Sequence, residues 1–328
     1  NGSDAILILV DGKEHDKSFI SQLNPSQIAK VEVMDAPPSN YDGNLSGVIN
    51  IILKKEKNSG ISGHVFSEIP TSKAVVYSFP TASINYSYNK VNLYTSYNGE
   101  INYENIDEKT IWQIKGNNSL KEISSIQHVR QKNLSHKLNY GLDYHLTTGD
   151  IFSFYGFYNR YSYEQDGNAI VNVAESIDEK WNAQIEETDR NKNLFNSLYY
   201  KHLFSNDETE ITIDVSNTHI RSNNKVFYSN ETHTQNNAKT PEQKTNSIKV
   251  DFKSPIGKKL KLSSGAKFKS RKIHDNASQE FYYKEHVYAI YGSLNYSLSK
   301  LDFNLGFRAE DAATELNKSQ NSSGFSLL

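Results

Sequence analysis

The chain has 328 residues, 36 basic against 38 acidic, for a formal net charge of -2. No stretch approaches the roughly 20 apolar residues of a membrane-spanning helix, which excludes a helical membrane protein but not a transmembrane β-barrel, whose strands are apolar on one face only. The near balance of charge offers no electrostatic case for nucleic acid, and the absence of Cys excludes disulfides, Cys-ligated metal and thiol catalysis.

Residues 1–57 read as a small α+β unit. Ile6–Val10 is a continuous apolar run ended by Asp11-Gly12, the pattern of a buried strand and a turn. Asn24-Pro25 offers a capping residue followed by a proline at the first helical position, so a short helix is expected through Ile28, then a strand over Lys30–Met34. Pro37-Pro38 forbids regular structure. Asp42-Gly43 makes a turn, and Val48–Leu53 is a second buried strand ended by Lys54-Lys55. Gly43 and Gly47 flank that return, where a backbone without Cβ can turn or pack closely.

From about Gly60 the period becomes two. In Asn133–Leu146 the even positions Leu134, Leu138, Tyr140, Leu142, Tyr144 and Leu146 are apolar, interrupted by His136, and the odd positions are polar. Lys259–Lys269 and Leu301–Glu310 repeat the pattern. Tyr88 and Val91 flank Asn89-Lys90, and Leu298 and Leu301 flank Ser299-Lys300. In both places the apolar parity switches across the turn, as a two-residue hairpin requires. Thr147–Asp150, Ser205–Glu208 and Pro255–Lys258 read as further short turns. The polar segments Glu104–Ser125, Asp166–Asn191, Ser222–Gln243 and Arg271–Tyr283 read as long loops. Short turns alternating with long loops, and strands reaching the 9–11 residues of a tilted membrane crossing, predict a mainly β fold: an antiparallel transmembrane barrel, partial and open, of about 10–12 strands. Leu194–Phe204 and His286–Leu298 are apolar on both parities and fit the alternation poorly.

No chemistry stands out. The ten His form no metal-binding spacing, and His128, His136, His145 and His202 are assigned to strand ends or the lumen. Glu186-Glu187 and Glu208/Glu210 fall in loop-like sequence, where solvated charge is the expectation. There is no nucleophile elbow or phosphate loop. The residues therefore predict no enzyme, no cofactor and no metal site, and single out no substrate-binding residue.

Residues 5–65 resemble the second half of the plug domain of TonB-dependent outer-membrane receptors. The resemblance rests on Ile8–Gly12, on Leu23–Val33, on Pro38–Gly43 and most specifically on Gly47–Lys55, which is similar to the closing plug strand of the Bacteroidota-type branch with an outer-membrane β-barrel domain. It implies that residues 1–57 are the C-terminal half of a plug domain and residues 58–328 the N-terminal part of the barrel, within a longer protein. It further implies location in the outer membrane, contact with the lipid bilayer, a TonB-type energy-transducing partner engaged through a segment upstream, and energised import of a small nutrient. The alternative is a surface-binding or adhesion barrel without active transport. On the first reading Leu138, Tyr140, Leu142, Leu260, Leu262, Leu294, Tyr296, Phe303 and Leu305 point outward from the curved sheet, Lys137, Asp143, Asp302 and Arg308 point inward, and residues 1–57 lie against the concave face. A soluble sandwich would instead bury the Leu138–Leu142 face against a second sheet.

Overall fold

The computed structural model describes residues 6–15, 23, 28–35, 37–43, 45–54, 59–68, 75–115, 120–174, 179–205, 208–230, 234–275, 281–298, 301–316 and 320–327. Among them all regular structure is strand, in two sheets.

The first sheet has four strands in the order β2-β1-β4-β3: β1 Ile6–Val10, β2 Lys13–His15, β3 Ile28–Met34 and β4 Gly47–Leu53. β1 and β4 run parallel, and Ile8, Leu9, Val10, Val48 and Ile51 are buried. The described residues of this unit are strands; of the helix expected from Asn24-Pro25 through Ile28, residues 24–27 lie outside the described residues, and Ile28 instead opens β3. β2 was not foreseen. It forms because Asp11 (φ 49°) and Gly12 (φ 80°) reverse the chain, a two-residue turn with both residues left-handed. Asn50 Oδ1 then accepts the Gly12 N–H at 3.2 Å, and Asp11 Oδ1 accepts the Leu53 N–H at 3.0 Å. Gly47 needs no special freedom: its φ is ordinary, and a Cβ there would meet Met34 O at 3.5 Å.

The second sheet is antiparallel. Twelve strands follow one another as neighbours: β5 Gly60–Phe66, β7 Thr81–Tyr88, β8 Val91–Lys115, β9 Leu120–His145, β10 Asp150–Ala174, β11 Glu179–Leu203, β12 Glu210–Asn230, β14 Glu242–Ile256, β15 Leu260–Asp275, β16 Phe281–Leu298, β17 Leu301–Leu316 and β18 Gln320–Leu327. Two short strands flank this path, β6 Val75–Ser78 against β8 and β13 Thr234–Lys239 against β12. Among the described residues nothing pairs β5 with β18, so the wall is an open barrel.

The hairpins fall where the parity switch put them, with Tyr88 opposite Val91 and Leu298 opposite Leu301. The four long loops are corrected. Apart from 116–119, 175–178, 231–233 and 276–280, which lie outside the described residues, they are almost entirely paired strand: Glu104 lies opposite Gln131, Asp166 opposite Arg130 and Glu186, and Asn224 opposite both Asp189 and Lys239. Polar residues on both faces look like loop in sequence, yet nothing in them prevents backbone pairing. β9 has 26 residues. At about 3.3 Å per residue it runs roughly 85 Å, far more than the roughly 25 Å apolar band of an outer-membrane barrel demands. Asn89 and Gly149 sit at the short-turn end of the wall, and Asn236 at the other.

The outward face near the short turns is apolar. Leu138 is 45% exposed, Leu142 37% and Leu305 74%, and Leu294, Tyr296 and Phe303 are exposed beside them. Cross-strand partners continue the belt around the wall: Leu93–Leu142–Phe154–Leu198–Val215–Ile248–Phe268–Tyr288. Among the described residues no second sheet covers it. An exposed apolar surface of this extent in an antiparallel wall is a lipid-facing one.

Candidate functional site: the inner face of the wall and the small sheet

Among the described residues no strand of the small sheet pairs with the wall. Two clusters of side chains join them. In the first, Lys13 and His15, two residues apart on β2, share the face turned to the wall. Lys13 is 8% exposed. Its Nζ donates to Asp143 Oδ1 at 2.7 Å and to Ser153 Oγ at 3.4 Å, and Ser153 Oγ in turn donates to Asp143 at 2.5 Å. His15 stacks on Tyr155, ring centroids 5.0 Å apart. Tyr155 is 1% exposed and directs its hydroxyl to Asp214 at 3.4 Å, while Ser197 Oγ donates to the other Asp214 oxygen at 2.7 Å.

The second cluster is built on the segment between β3 and β4, which Pro37-Pro38 keeps out of regular structure. A turn closed by Tyr41 N–H to Pro38 O at 3.0 Å presents Ser39, Tyr41 and Asp42. Lys267 Nζ reaches both Asp42 oxygens at 2.7 and 2.8 Å. Arg308, 3% exposed, donates to Asp42 Oδ1 at 3.2 Å and to the Ser39 carbonyl at 3.3 Å. Glu310 holds the same guanidinium from behind at 2.8 Å. Ser39 Oγ donates to the Gly292 carbonyl at 3.1 Å. This approach depends on Gly306, where an added Cβ would lie 3.2 Å from Ser39 Oγ and 3.3 Å from its Cβ. Lys249 lies 5.1 Å over the Tyr41 ring and pairs with Asp251 at 2.9 Å, which also accepts from Tyr291 at 2.6 Å. Burial works to raise the Asp42 carboxyl, but the Lys267 charge and hydrogen bond, joined by Arg308, outweigh it and hold the group below the usual carboxylate range.

Of the four residues expected inward, Lys137, Asp143 and Arg308 are buried or half-buried there. Asp302 shares the Arg308 parity but is exposed near the end of β17. His136 and His128 are corrected: both point outward in mid-strand on β9, the former bonded to Tyr97 at 2.7 Å and the latter to Asp107 at 2.6 Å. Glu186 and Glu187 lie within β11, so adjacent positions send them to opposite faces and they form no carboxylate pair. Glu210 bridges Lys201 and Lys253 across strands, a structural use of its charge. Among the described residues no group of three or more His, Asp or Glu is placed to hold a metal.

The segments apolar on both parities are the wall positions that back the small sheet. Phe195 and Tyr199 on β11, and Val287, Ala289 and Tyr291 on β16, face inward, while Leu198, Tyr288 and Ile290 face out. Loss of alternation therefore marked the docking surface. The groove between Ile248, Phe268, Tyr288 and Ile290 opens on the lipid side, where acyl chains, not a solute, would fill it.

Residues 202–326, from the end of β11 into β18, match the model of the Outer membrane protein beta-barrel family. No curated protein matches the chain. Among solved structures, the ferric citrate transporter FecA in its unliganded form is 10% identical, with a TM-score of 0.44 over 95% of this chain and 62% of that one. The ferric yersiniabactin uptake receptor FyuA of Yersinia pestis is 10% identical, with a TM-score of 0.46 over 98% and 66%. The ferripyoverdine receptor of Pseudomonas aeruginosa is 10% identical, with a TM-score of 0.45 over 99% and 57%. The chain thus spans about three fifths of the length of these receptors. The match to the outer-membrane family and the apolar belt around the wall agree: the chain is an antiparallel outer-membrane β-barrel wall, open, with a small sheet seated on its inner face.

Proposed function

We propose that the chain is part of an outer-membrane receptor that imports a nutrient, with residues 1–57 as the C-terminal half of its plug and residues 58–328 as the N-terminal part of its barrel. The observation that carries this reading is the polar junction. The small sheet occupies the inner face over buried aromatic residues such as Tyr155 and Tyr291, yet among the described residues the bonds that hold it to the wall are ion pairs and single hydrogen bonds, with no strand pairing. Lys13–Asp143 and Asp42–Lys267/Arg308 are contacts that water can replace. A sheet joined in this way blocks the lumen and remains able to shift when pulled. The resemblance at Gly47–Lys55 supplies the agent: a TonB-type transducer in the periplasm, acting through an upstream segment and using the inner-membrane proton gradient. On this reading the short turns face the periplasm and the long strand extensions face outside. The extensions also suit an adhesion barrel without transport, and the test separates the two.

Ser39→Cys with Gly306→Cys places two thiols at near disulfide spacing, since the built Cβ positions lie 3.3 Å apart against the usual 3.5–4.5 Å. The native chain has no competing Cys. Solutes depleted from medium by intact cells are compared between a deletion strain, the full-length protein and the tethered variant. Depletion of one solute that needs the protein, stops under a proton uncoupler, stops in the tether and returns with reductant supports energised import. Surface binding that needs the protein but persists under the uncoupler and in the tether, with or without reductant, supports adhesion instead.

A further inference from the structure

Just beyond the apolar belt the outward face changes character within one step. Leu138, Tyr158, Leu194 and His219 are register partners across β9, β10, β11 and β12. Two residues further from the short turns, on the same face, the partners are His136, Arg160, Lys192 and Arg221. Strands stand about 4.8 Å apart, and like charges directly opposite one another destabilise a sheet. Two members of this row have partners: His136 bonds Tyr97, and Arg221 pairs with Glu242 at 3.2 Å. Arg160 and Lys192, adjacent in the middle, have no carboxylate within ion-pair distance among the described residues, and both are exposed. Further from the belt, Arg190 one row on and Lys132 two rows on share a single carboxylate, Glu164, at 3.3 and 3.9 Å. Arg160, Lys192, Arg190 and Lys132 thus set four cations against one carboxylate.

The geometry points to a binding site for the phosphate of a membrane lipid headgroup, centred on Arg160 and Lys192. The ligand is a lipid rather than a free anion because of where the cations stand. They face away from the lumen, so nothing that passes through the barrel meets them. They border Leu138 and Tyr158, both exposed on the lipid side, over which acyl chains would run while the phosphate sits against the cations. Arg supplies a planar fork that matches phosphate oxygens in two parallel hydrogen bonds, and Lys supplies a second point charge. A phosphate between them also removes the cross-strand repulsion that the bare pair carries. The inference rests on placement in the membrane and is independent of what the barrel transports.

The test uses the full-length protein in phosphatidylcholine nanodiscs doped with a bisphosphorylated glycolipid or with its dephosphorylated form. Lipid retained through detergent extraction is quantified by mass spectrometry. Wild type is expected to retain the phosphorylated form in preference, and Arg160→Gln/Lys192→Gln to reduce that retention roughly tenfold or more. Arg160→Lys/Lys192→Arg should keep it, as should Lys225→Gln, which lies two rows further from the belt and two strands away from Arg160. In pure phosphatidylcholine the double Gln variant should unfold at the same temperature as wild type or higher, because a repulsion has been removed. Equal retention of the two glycolipids would overturn the proposal. So would a lower unfolding temperature of the double variant in pure phosphatidylcholine, which would make the pair structural. Displacement of the lipid by inorganic phosphate at equal concentration would assign the cations to free anions and overturn the lipid site.

Discussion

The two ends of the same strands differ in what lies on their outer face. Near the short turns β9 presents Leu138, Tyr140, Leu142 and Tyr144. Further along the same face it presents Lys132, Arg130 and His128. Backbone pairing is continuous through both regions. In the first, side chains gain by leaving water for lipid. In the second, they stay wet and offer only exposed pairs such as Arg130–Asp166, whose side chains are 75% and 54% exposed. A sheet wall therefore needs an apolar face to enter a membrane but not to extend beyond it.

The largest expected effect tests that contrast directly. Leu142→Arg sets a charge on the belt and should cost about 2–4 kcal/mol near the bilayer midplane. His128→Arg, on the same strand and face, should change stability by no more than about 0.5 kcal/mol. Denaturant unfolding from lipid vesicles reads both. Equal costs would remove the distinction between the regions.

Next in size is the junction with the small sheet. Asp42→Asn removes the carboxylate that Lys267 and Arg308 share, and should weaken seating by about 1–2 kcal/mol after allowance for the partial exposure of Asp42. Because folding lowers the pKa of Asp42, the pairing contributes fully above the ordinary carboxylate value of about 3.9 and is lost as pH falls through the lowered value. The rate at which an unlabelled Cys in place of Ser39 reacts with an acid-active thiol reagent in urea should therefore rise below about pH 4 where Asp42 is retained. In the Asp42→Asn variant it should be high and flat with pH. A native rate independent of pH would show that the ion pair does not hold the sheet.

The smallest effect lies in the extension. Arg130→Ala breaks an exposed pair and should cost no more than about 0.5 kcal/mol, read in the same unfolding assay. A loss comparable to that of Leu142→Arg would mean that the extension is held by its charges.

The sequence disclosed the belt because one face of each strand meets lipid, so period-two alternation is strict at Asn133–Leu146. It misread the extensions because polar residues on both faces carry no period, and pairing there is fixed only by continuity of register from the belt. It misread Leu194–Phe204 and His286–Leu298 for the opposite reason: Phe195 and Tyr291 are apolar and inward because the small sheet lies over that part of the wall. The junction itself was half legible. Asp143 and Arg308 stood out as inward polar residues, but their partners Lys13 and Asp42 follow turns whose direction no local pattern reveals. Arg160 and Lys192 are unremarkable in sequence and become neighbours only through the register of β10 with β11.

The two regions of β9, one facing lipid and one facing water, can be told apart directly. Single Cys residues replace Leu138 and His128 in the full-length protein, each carrying a fluorophore, in vesicles containing a lipid-borne quencher. The Leu138 position should be quenched by the lipid and shielded from a water-soluble quencher, and the His128 position should show the reverse. Equal quenching of both positions from the water phase would contradict the lipid-facing belt and with it the membrane wall.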